Sequence, residues 1–328
     1  MLRCHGPEFG SNQGVLVREI ALFGGSAHPE LAAEISAQLG VPLRPVKVER
    51  FANDCIEVQL QANCRERDVF LIQPLVQPVQ ENLVELLLML DAARGASAAR
   101  TTVVLPHYAY ARSDKKDAPR ISIGARLVAD LMVAAGANRV LAMTLHSPQV
   151  HGFFSVPVDH LHALSELAGH FRKLDLSNTT VVSPDLGNVK EAARFARLLG
   201  VPVAAGAKQR YADDRVAISS VIGEIDGRDI IVLDDEIAKG STVIELLARL
   251  REHNVRSVRV ACTHGLFAAG ALTRIGAHPE VLEIVCTNTV PLHERSDKLT
   301  VLSIAPALAE AVRRIHNGES VSALFDAQ

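Results

Sequence analysis

The densest run of potential chemistry in the chain is Asp234-Asp235-Glu236-Ile237-Ala238-Lys239-Gly240-Ser241-Thr242, which follows the apolar stretch Ile230-Ile231-Val232-Leu233. Two adjacent carboxylates at the end of a buried strand need partners, because an unpaired charge away from water is costly. The small residues after them predict a loop leading into a helix from Val243. Backbone N–H groups in such a loop, together with a helix N-terminus, make a phosphate cradle. Ser241 and Thr242 add hydroxyl donors and Lys239 a charge; carboxylates beside a phosphate suit the vicinal hydroxyls of a sugar, or a metal. The competing reading is a capped turn whose aspartates pair with nearby arginines.

Four other segments repeat the arrangement of polar groups just past an apolar run. Thr180-Val181-Val182-Ser183 leads into Pro184-Asp185-Leu186-Gly187-Asn188, where Asp185 can hold an anion or a metal and Gly187-Asn188 permits positive φ before a helix. Ordinary turn chemistry explains that segment equally well. Beyond Leu105 comes a cationic loop in which Arg112, Lys115 and Lys116 either clamp a polyphosphate or are simply solvated. His146 stands at the end of Leu141-Ala142-Met143-Thr144-Leu145, and a lone histidine in such a place is more often structural than a ligand. Residues 208–215 form a polar, hairpin-like stretch between Val203 and Ile218. Its Lys208 and Arg210 are either solvated or carried on a loop that closes over transferring phosphates.

The elements that must position these groups alternate continuous β-branched runs with helices of period near 3.6. That is the pattern of a parallel sheet covered on both faces. Ligands of open parallel sheets collect at the carboxyl ends of strands, where the segments around Asp234, Asp185, Arg112 and His146 fall. One helix is expected to use the face Ile123, Leu127, Leu131 and Ala134, ending at Gly136. Another, with Leu308, Val312 and Ile315, lies between Pro306 and Gly318. The stretch 83–90 reads as a buried helix although it contains Glu85. A repeat decides the architecture: Leu39-Gly40-Val41-Pro42 recurs 160 residues later as Leu199-Gly200-Val201-Pro202, and Arg67-Asp68-Val69 recurs as Arg228-Asp229-Ile230. Both first copies and both second copies sit in the same context, closing a helix or opening a strand. The expected fold is α/β, doubled, each copy a mainly parallel sheet flanked by helices.

Composition excludes several classes. The 328 residues are 48% apolar, which rules out whole-chain disorder and favours two domains. A formal charge of −3 argues against a general nucleic-acid or membrane-surface binder while leaving room for a local basic pocket. Aromatics are only 4% with no Trp, so base stacking is not a theme. No apolar run approaches the ~18–20 residues of a membrane span. Residues 1–14 lack the apolar core of a signal peptide, so 1–17 is expected to be a poorly ordered extension. The five cysteines form no CxxC pair, which suggests a reduced, cytoplasmic setting without a zinc site. Neither GxxxxGK[ST] nor GxGxxG occurs, so any use of ATP does not run through a Walker loop or a dinucleotide fold.

Taken together the motifs resemble the ribose-phosphate diphosphokinase (phosphoribosyl-diphosphate synthetase) family over nearly the whole chain. The resemblance is carried by Leu22-Phe23-Gly24-Gly25-Ser26-Ala27-His28-Pro29, Arg50-Phe51-Ala52-Asn53-Asp54 and Gln73-Pro74 ahead of Glu81-Asn82-Leu83. It continues through Tyr110-Ala111-Arg112, Gly152-Phe153-Phe154, Pro157-Val158-Asp159-His160-Leu161 and Ser183-Pro184-Asp185. It implies two phosphoribosyltransferase-type domains, at 18–160 and 161–304, with the C-terminal helix 305–328 packed on the first. It implies transfer of a diphosphoryl group from ATP to the anomeric hydroxyl of ribose 5-phosphate, with Mg²⁺ as cofactor.

By the same resemblance, Asp234 and Asp235 would hold the ribose hydroxyls, and Ala238, Lys239, Gly240, Ser241 and Thr242 would wrap the 5-phosphate. Phe51 would stack on adenine, with Asn53, Asp54 and Cys55 beside it, and Arg112, Ser113, Asp114 and Lys115 would grip ATP. His146 and Asp185 fall where the magnesium of MgATP is bound or organised, and Lys208 and Arg210 where the transferring group is neutralised. A homo-oligomer, dimer or hexamer, is implied, with Arg65 near an allosteric site. Departures matter as well. The family loop Asp-Asp-Met-Ile-Asp-Thr-Ala-Gly-Thr becomes Asp-Asp-Glu-Ile-Ala-Lys-Gly-Ser-Thr, so Glu236 replaces a methionine and Ala238 an acid. Ser113, Lys115 and Thr144 replace Gln, Arg and an acid. These changes keep two alternatives in view: a diphosphokinase for another sugar phosphate or nucleotide, and a non-catalytic regulatory homologue.

Overall fold

A computed structural model describes residues 18–212, 215–322 and 324; the side chains of 208–219 lie outside what it describes, as does the extension expected at 1–17. The first half runs β1 (Ile20–Gly24), α1 (Pro29–Leu39), β2 (Leu43–Arg44), β3 (Val46–Arg50), β4 (Ile56–Leu60), β5 (Asp68–Ile72), α2 (Val79–Gly95), β6 (Arg100–Leu105), α3 (Gly124–Ala135), β7 (Arg139–Met143) and β8 (Val158–Leu161). The second runs α4 (Leu164–Phe171), β9 (Thr179–Ser183), α5 (Val189–Leu199), β10 (Val203–Ala212), β11 (Arg215–Ile222), β12 (Asp229–Ile237), α6 (Ser241–Arg251), β13 (Ser257–Gly265), α7 (Ala271–Gly276), β14 (Val281–Thr287), β15 (Leu299–Leu302) and α8 (Ala305–Asn317).

The first sheet has the order β2-β1-β5-β6-β7-β8 with every pairing parallel. The second has the order β11-β10-β9-β12-β13-β14-β15 and is parallel except at the β10–β11 hairpin. Continuous apolar runs follow from burial on both faces. Val69 and Leu71 point into one core with α2 and α3, while Phe70 and Ile72 point into another with α1 and α8. Ile230 and Val232, against Ile231 and Leu233, divide the second sheet in the same way.

The sequence repeat is a structural repeat. α1 and α5 both end on a glycine, Gly40 and Gly200, with φ of 69° in each. Asp68 and Asp229 open the equivalent strands β5 and β12. Each accepts a hydrogen bond from the first residue of the next strand: Asp68 from Arg100 at 2.8 Å, Asp229 from Ser257 at 2.6 Å. The antiparallel pair β3–β4 is then the first-half counterpart of β10–β11, a correspondence the sequence did not signal.

One local expectation is corrected and another holds. On α3 the buried face is Gly124, Ala125, Val128, Ala129 and Met132, whereas Leu127 and Leu131 are exposed. Leu127 and Leu131 share the outer face with the Arg126–Asp130 ion pair, while the small residues Gly124, Ala125 and Ala129 turn inward and let the helix lie close to the sheet. Residues 83–90 do form a buried part of α2, and Glu85 is accommodated there because it accepts hydrogen bonds from the backbone N–H (2.7 Å) and hydroxyl of Ser26. α8 packs against α1, with Leu308, Val312 and Ile315 in the same core as Leu31 and Ile35. No helix among the described residues is long and apolar enough to cross a membrane.

Candidate active site

The acidic pair lies within its strand rather than after it. β12 continues through Ile237, with Asp234 opposite Cys262 and Glu236 opposite His264 on β13. The helix after it starts at Ser241, two residues earlier than expected, because Gly240 takes φ 69° and turns the chain directly into α6. A Cβ on Gly240 would lie 3.1 Å from Ile275 Cδ1 and 3.2 Å from Ala271 Cβ, so both conformation and space select glycine there. The guanidinium of Arg274 donates to the Lys239 carbonyl and fixes the loop from behind.

This loop closes one side of a cavity of about 540 Å³. Asp185, Gly187 and Asn188 from the β9–α5 turn form a second wall, and Arg112 and His146 from the first half form a third. Asn188 ties the two turns together, donating its amide to the Leu233 carbonyl at 3.2 Å. Its backbone N–H donates to Asp185 Oδ1 at 3.1 Å. Neither Gly187 nor Asn188 adopts the positive φ that the sequence suggested. Glycine serves there by its size, since a Cβ would stand 3.1 Å from Asp185 Oδ1.

Electrostatics separates the paired acids. Burial, then the neighbouring charges of Asp235 and Asp185, push the Asp234 carboxyl well above the usual carboxylate range. Burial also acts to raise Asp235, but the hydrogen bond and charge of His146 outweigh it and hold Asp235 low. His146 Nδ1 lies 2.6 Å from Asp235 Oδ2, and this bond raises the histidine in turn. His146 therefore reaches across from the first half of the chain to the acidic strand of the second.

The turn that delivers His146 is held by two other histidines. Thr144 has φ of 40°, donates its N–H to the Leu161 carbonyl at 2.7 Å and accepts from His264 Nε2 at 2.9 Å. Leu145 N–H donates to His160 Nε2 at 2.8 Å. Burial lowers His264 to about 4 and His160 to about 3, so both act as neutral rings.

Comparison with known proteins places the chain in a family. A family model for the N-terminal domain of ribose phosphate pyrophosphokinase matches residues 20–136, and one for the phosphoribosyl synthetase-associated domain matches 212–326. A Deinococcus radiodurans protein named ribose-phosphate pyrophosphokinase is 46% identical over 313 residues, covering 93% of this chain and 98% of its own. A Streptomyces coelicolor relative that bears the same name in provisional form is 79% identical over 314 residues, covering 95% and 99%. The crystal structure of phosphoribosylpyrophosphate synthetase from Mycobacterium smegmatis superposes with a TM-score of 0.86 at 39% identity, covering 92% of this chain and 100% of that one. The chain belongs to the ribose-phosphate pyrophosphokinase family.

Not every position implied by the family gathers at the cavity. Phe51, Asn53, Asp54 and Cys55 sit at the tip of the β3–β4 hairpin, closed by Phe51 N–H to the Cys55 carbonyl at 2.8 Å, and none of them lines it. Phe51 is 50% exposed. Ser113, Asp114 and Lys115 also lie off the cavity; Ser113 Oγ accepts from Gly124 N–H at 3.0 Å at the start of α3. Lys208 and Arg210 are on β10, opposite Ile218 and Val216 of β11, with their side chains outside the described residues. A larger cavity of about 820 Å³, with Ser26, His28, Arg50 and Glu81 in its lining, occupies the equivalent strand ends of the first sheet. That cavity has Glu30, Glu81 and Glu85 in its lining but no two adjacent acids, and the helices beside it open at His28 and Pro78 rather than at a glycine.

Sequence reasoning gave no role to His107, His160, His264 or Glu236. His264 carried the same signal as His146, a histidine directly after the apolar residues of a central strand. Glu236 was visible only as a departure.

Proposed function

We propose that the chain transfers the diphosphoryl group of ATP to the anomeric hydroxyl of ribose 5-phosphate, giving 5-phosphoribosyl 1-diphosphate and AMP, with the cavity at the end of β12 as its active site. The observation that carries this reading is the convergence in one cavity of an acidic pair, a glycine-opened helix N-terminus, and Arg112 and His146 from the other half of the chain. The backbone of Ala238, Lys239, Gly240, Ser241 and Thr242 suits a phosphate, with the N-terminus of α6 behind it. Asp234 is pushed toward its protonated form and Asp235 away from it, which offers vicinal sugar hydroxyls both a donor and an acceptor. Arg112 and His146 face the space left for a triphosphate, and Lys208 and Arg210 come from the β10–β11 hairpin to neutralise the transferring group. Phe51, with Asn53, Asp54 and Cys55, takes the adenine, and Ser113, Asp114 and Lys115 supplement the grip on ATP.

The donor set fits magnesium in part. The carboxylate of Asp185, beside the acidic pair, is the hard oxygen donor that Mg²⁺ prefers, whereas His146 has committed Nδ1 to Asp235 and organises the site instead. The described residues contain no group of three or more His, Cys, Asp or Glu able to cage a metal, so phosphate and water oxygens would complete the shell. When bound, the cation neutralises the triphosphate. The residues themselves supply in-line positioning and charge stabilisation, which is most of what phosphoryl-type transfer requires.

We read the domains as 18–160 and 161–304, and the protein as a cytoplasmic homo-oligomer, dimer or hexamer. The test is a pair of saturation curves. Arg112→Ala raises KM for ATP by about tenfold or more and leaves that for ribose 5-phosphate within about twofold, while Ser241→Ala does the reverse. Parallel shifts in both constants would overturn the division of the cavity.

A further inference from the structure

Glu236 replaces the methionine that follows the acidic pair in the family pattern, and its surroundings give it work. Its side chain is 11% exposed, with Oε2 3.1 Å from His107 Nε2 and Oε1 3.1 Å from an Arg112 terminal nitrogen. Both partners come from the segment after β6, in the other half of the chain. The other ring nitrogen of His107, Nδ1, lies 2.8 Å from the Leu75 carbonyl. The ring is therefore held between two oxygen partners, the Leu75 carbonyl and the Glu236 carboxylate. His107 is buried and packs edge-on against His264, with ring centroids 4.9 Å apart.

One oxygen of Glu236 is thus pinned by the buried His107 ring, and the other is presented to Arg112. Burial tends to raise the Glu236 carboxyl, but the His107 hydrogen bond and the neighbouring Arg112 guanidinium help bring it below its ordinary range. The bond to Arg112 is therefore charge-assisted. Arginine loses considerable rotamer freedom on gripping a ligand, and a partner that orders it beforehand lowers that cost.

We propose that Glu236 is a positioning residue for the nucleotide: through His107 it holds the Arg112 guanidinium against β12, already turned to a polyphosphate in the cavity. The inference rests on Arg112 as a nucleotide-gripping group, so Arg112→Ala is measured alongside. Glu236→Met restores the family residue and removes both bonds. Glu236→Gln keeps them, because its amide can meet His107 Nε2 while its carbonyl accepts from Arg112. Initial-rate kinetics should give Glu236→Met a KM for ATP raised about tenfold, with KM for ribose 5-phosphate within about twofold and kcat within about threefold. Glu236→Gln should recover to within about threefold of the parent, and thermal unfolding checks that each variant is folded.

Three results would overturn the proposal: an unchanged KM for ATP in Glu236→Met, equal shifts for both substrates, or a Gln variant as poor as Met. A lowered KM for ATP would also overturn it, by showing that Glu236 competes with phosphate for Arg112. If Arg112→Ala leaves KM for ATP unchanged, the site assignment itself fails together with the proposal. If Arg112→Ala raises it and Glu236→Met does not, only the positioning role fails.

Discussion

Replacing Gly240 by alanine tests the sugar-phosphate loop at its most constrained point. Gly240 holds φ at 69°, a conformation that costs an L-residue roughly 1–2 kcal/mol. The new Cβ would stand 3.1 Å from Ile275 Cδ1 and 3.2 Å from Ala271 Cβ. The Ile275 contact involves the free end of a side chain and gives at little cost, so the conformational term dominates. A loss of about 1–2 kcal/mol should lower the midpoint of thermal unfolding by roughly 2–8 °C. If relaxation instead tilts one loop N–H off the phosphate, the loss of about 1.5–3 kcal/mol for a hydrogen bond to a charged group raises KM for ribose 5-phosphate roughly 10- to 100-fold. Gly40→Ala is the control. It has the same φ of 69°, a Cβ there meets nothing within 4 Å, and it ends α1 outside the cavity lining. It should lose stability to a similar degree while both KM values stay within about twofold. A Gly240→Ala enzyme with an unaltered KM for ribose 5-phosphate would refute the cradle, and an unaltered unfolding midpoint would refute the left-handed backbone.

Lys208→Ala should lower kcat by about two orders of magnitude or more while changing KM for ATP by less than about threefold, measured by AMP release; equal losses would mark Lys208 as a binding residue. His264 is neutral with a value of about 4, and the unfolded chain protonates near 6.5. Unfolded protein thus binds more protons between those values, and stability falls with pH across that window, by roughly 2 kcal/mol from pH 7 to pH 5. His264→Gln, which keeps a donor for the Thr144 carbonyl, should show a smaller fall in unfolding midpoint over the same interval; an identical fall would place the titration elsewhere. Because Phe51 is half exposed on the hairpin tip, Phe51→Ala should leave the unfolding midpoint within about 1 °C yet raise KM for ATP, and an unchanged KM would remove it from the adenine site.

The fold was legible in sequence because its strands are buried on both faces and its repeat kept helix-ending glycines at Gly40 and Gly200. The face of α3 was misread because Leu127 and Leu131 lie outward beside the Arg126–Asp130 ion pair, and only packing decides that the small residues turn inward. At the site, the acidic pair, Asp185, Arg112 and His146 were legible as polar groups beyond apolar runs, and they do meet. Long-range partnerships were not. The turn at Thr144 is held by His160 and His264, 16 and 120 residues away in sequence, and no local pattern encodes such distances. The same limit hid Glu236, whose partners His107 and Arg112 precede it by more than a hundred residues.

The central claim is transfer of a diphosphoryl group between the two halves of one cavity. It is tested most directly by incubating the purified protein with Mg²⁺, ribose 5-phosphate and ATP labelled at the β-phosphorus. The label should appear in a sugar diphosphate, with AMP formed in equal amount and only when the sugar phosphate is present. Label recovered in ADP, or AMP released without a labelled sugar product, would contradict the account.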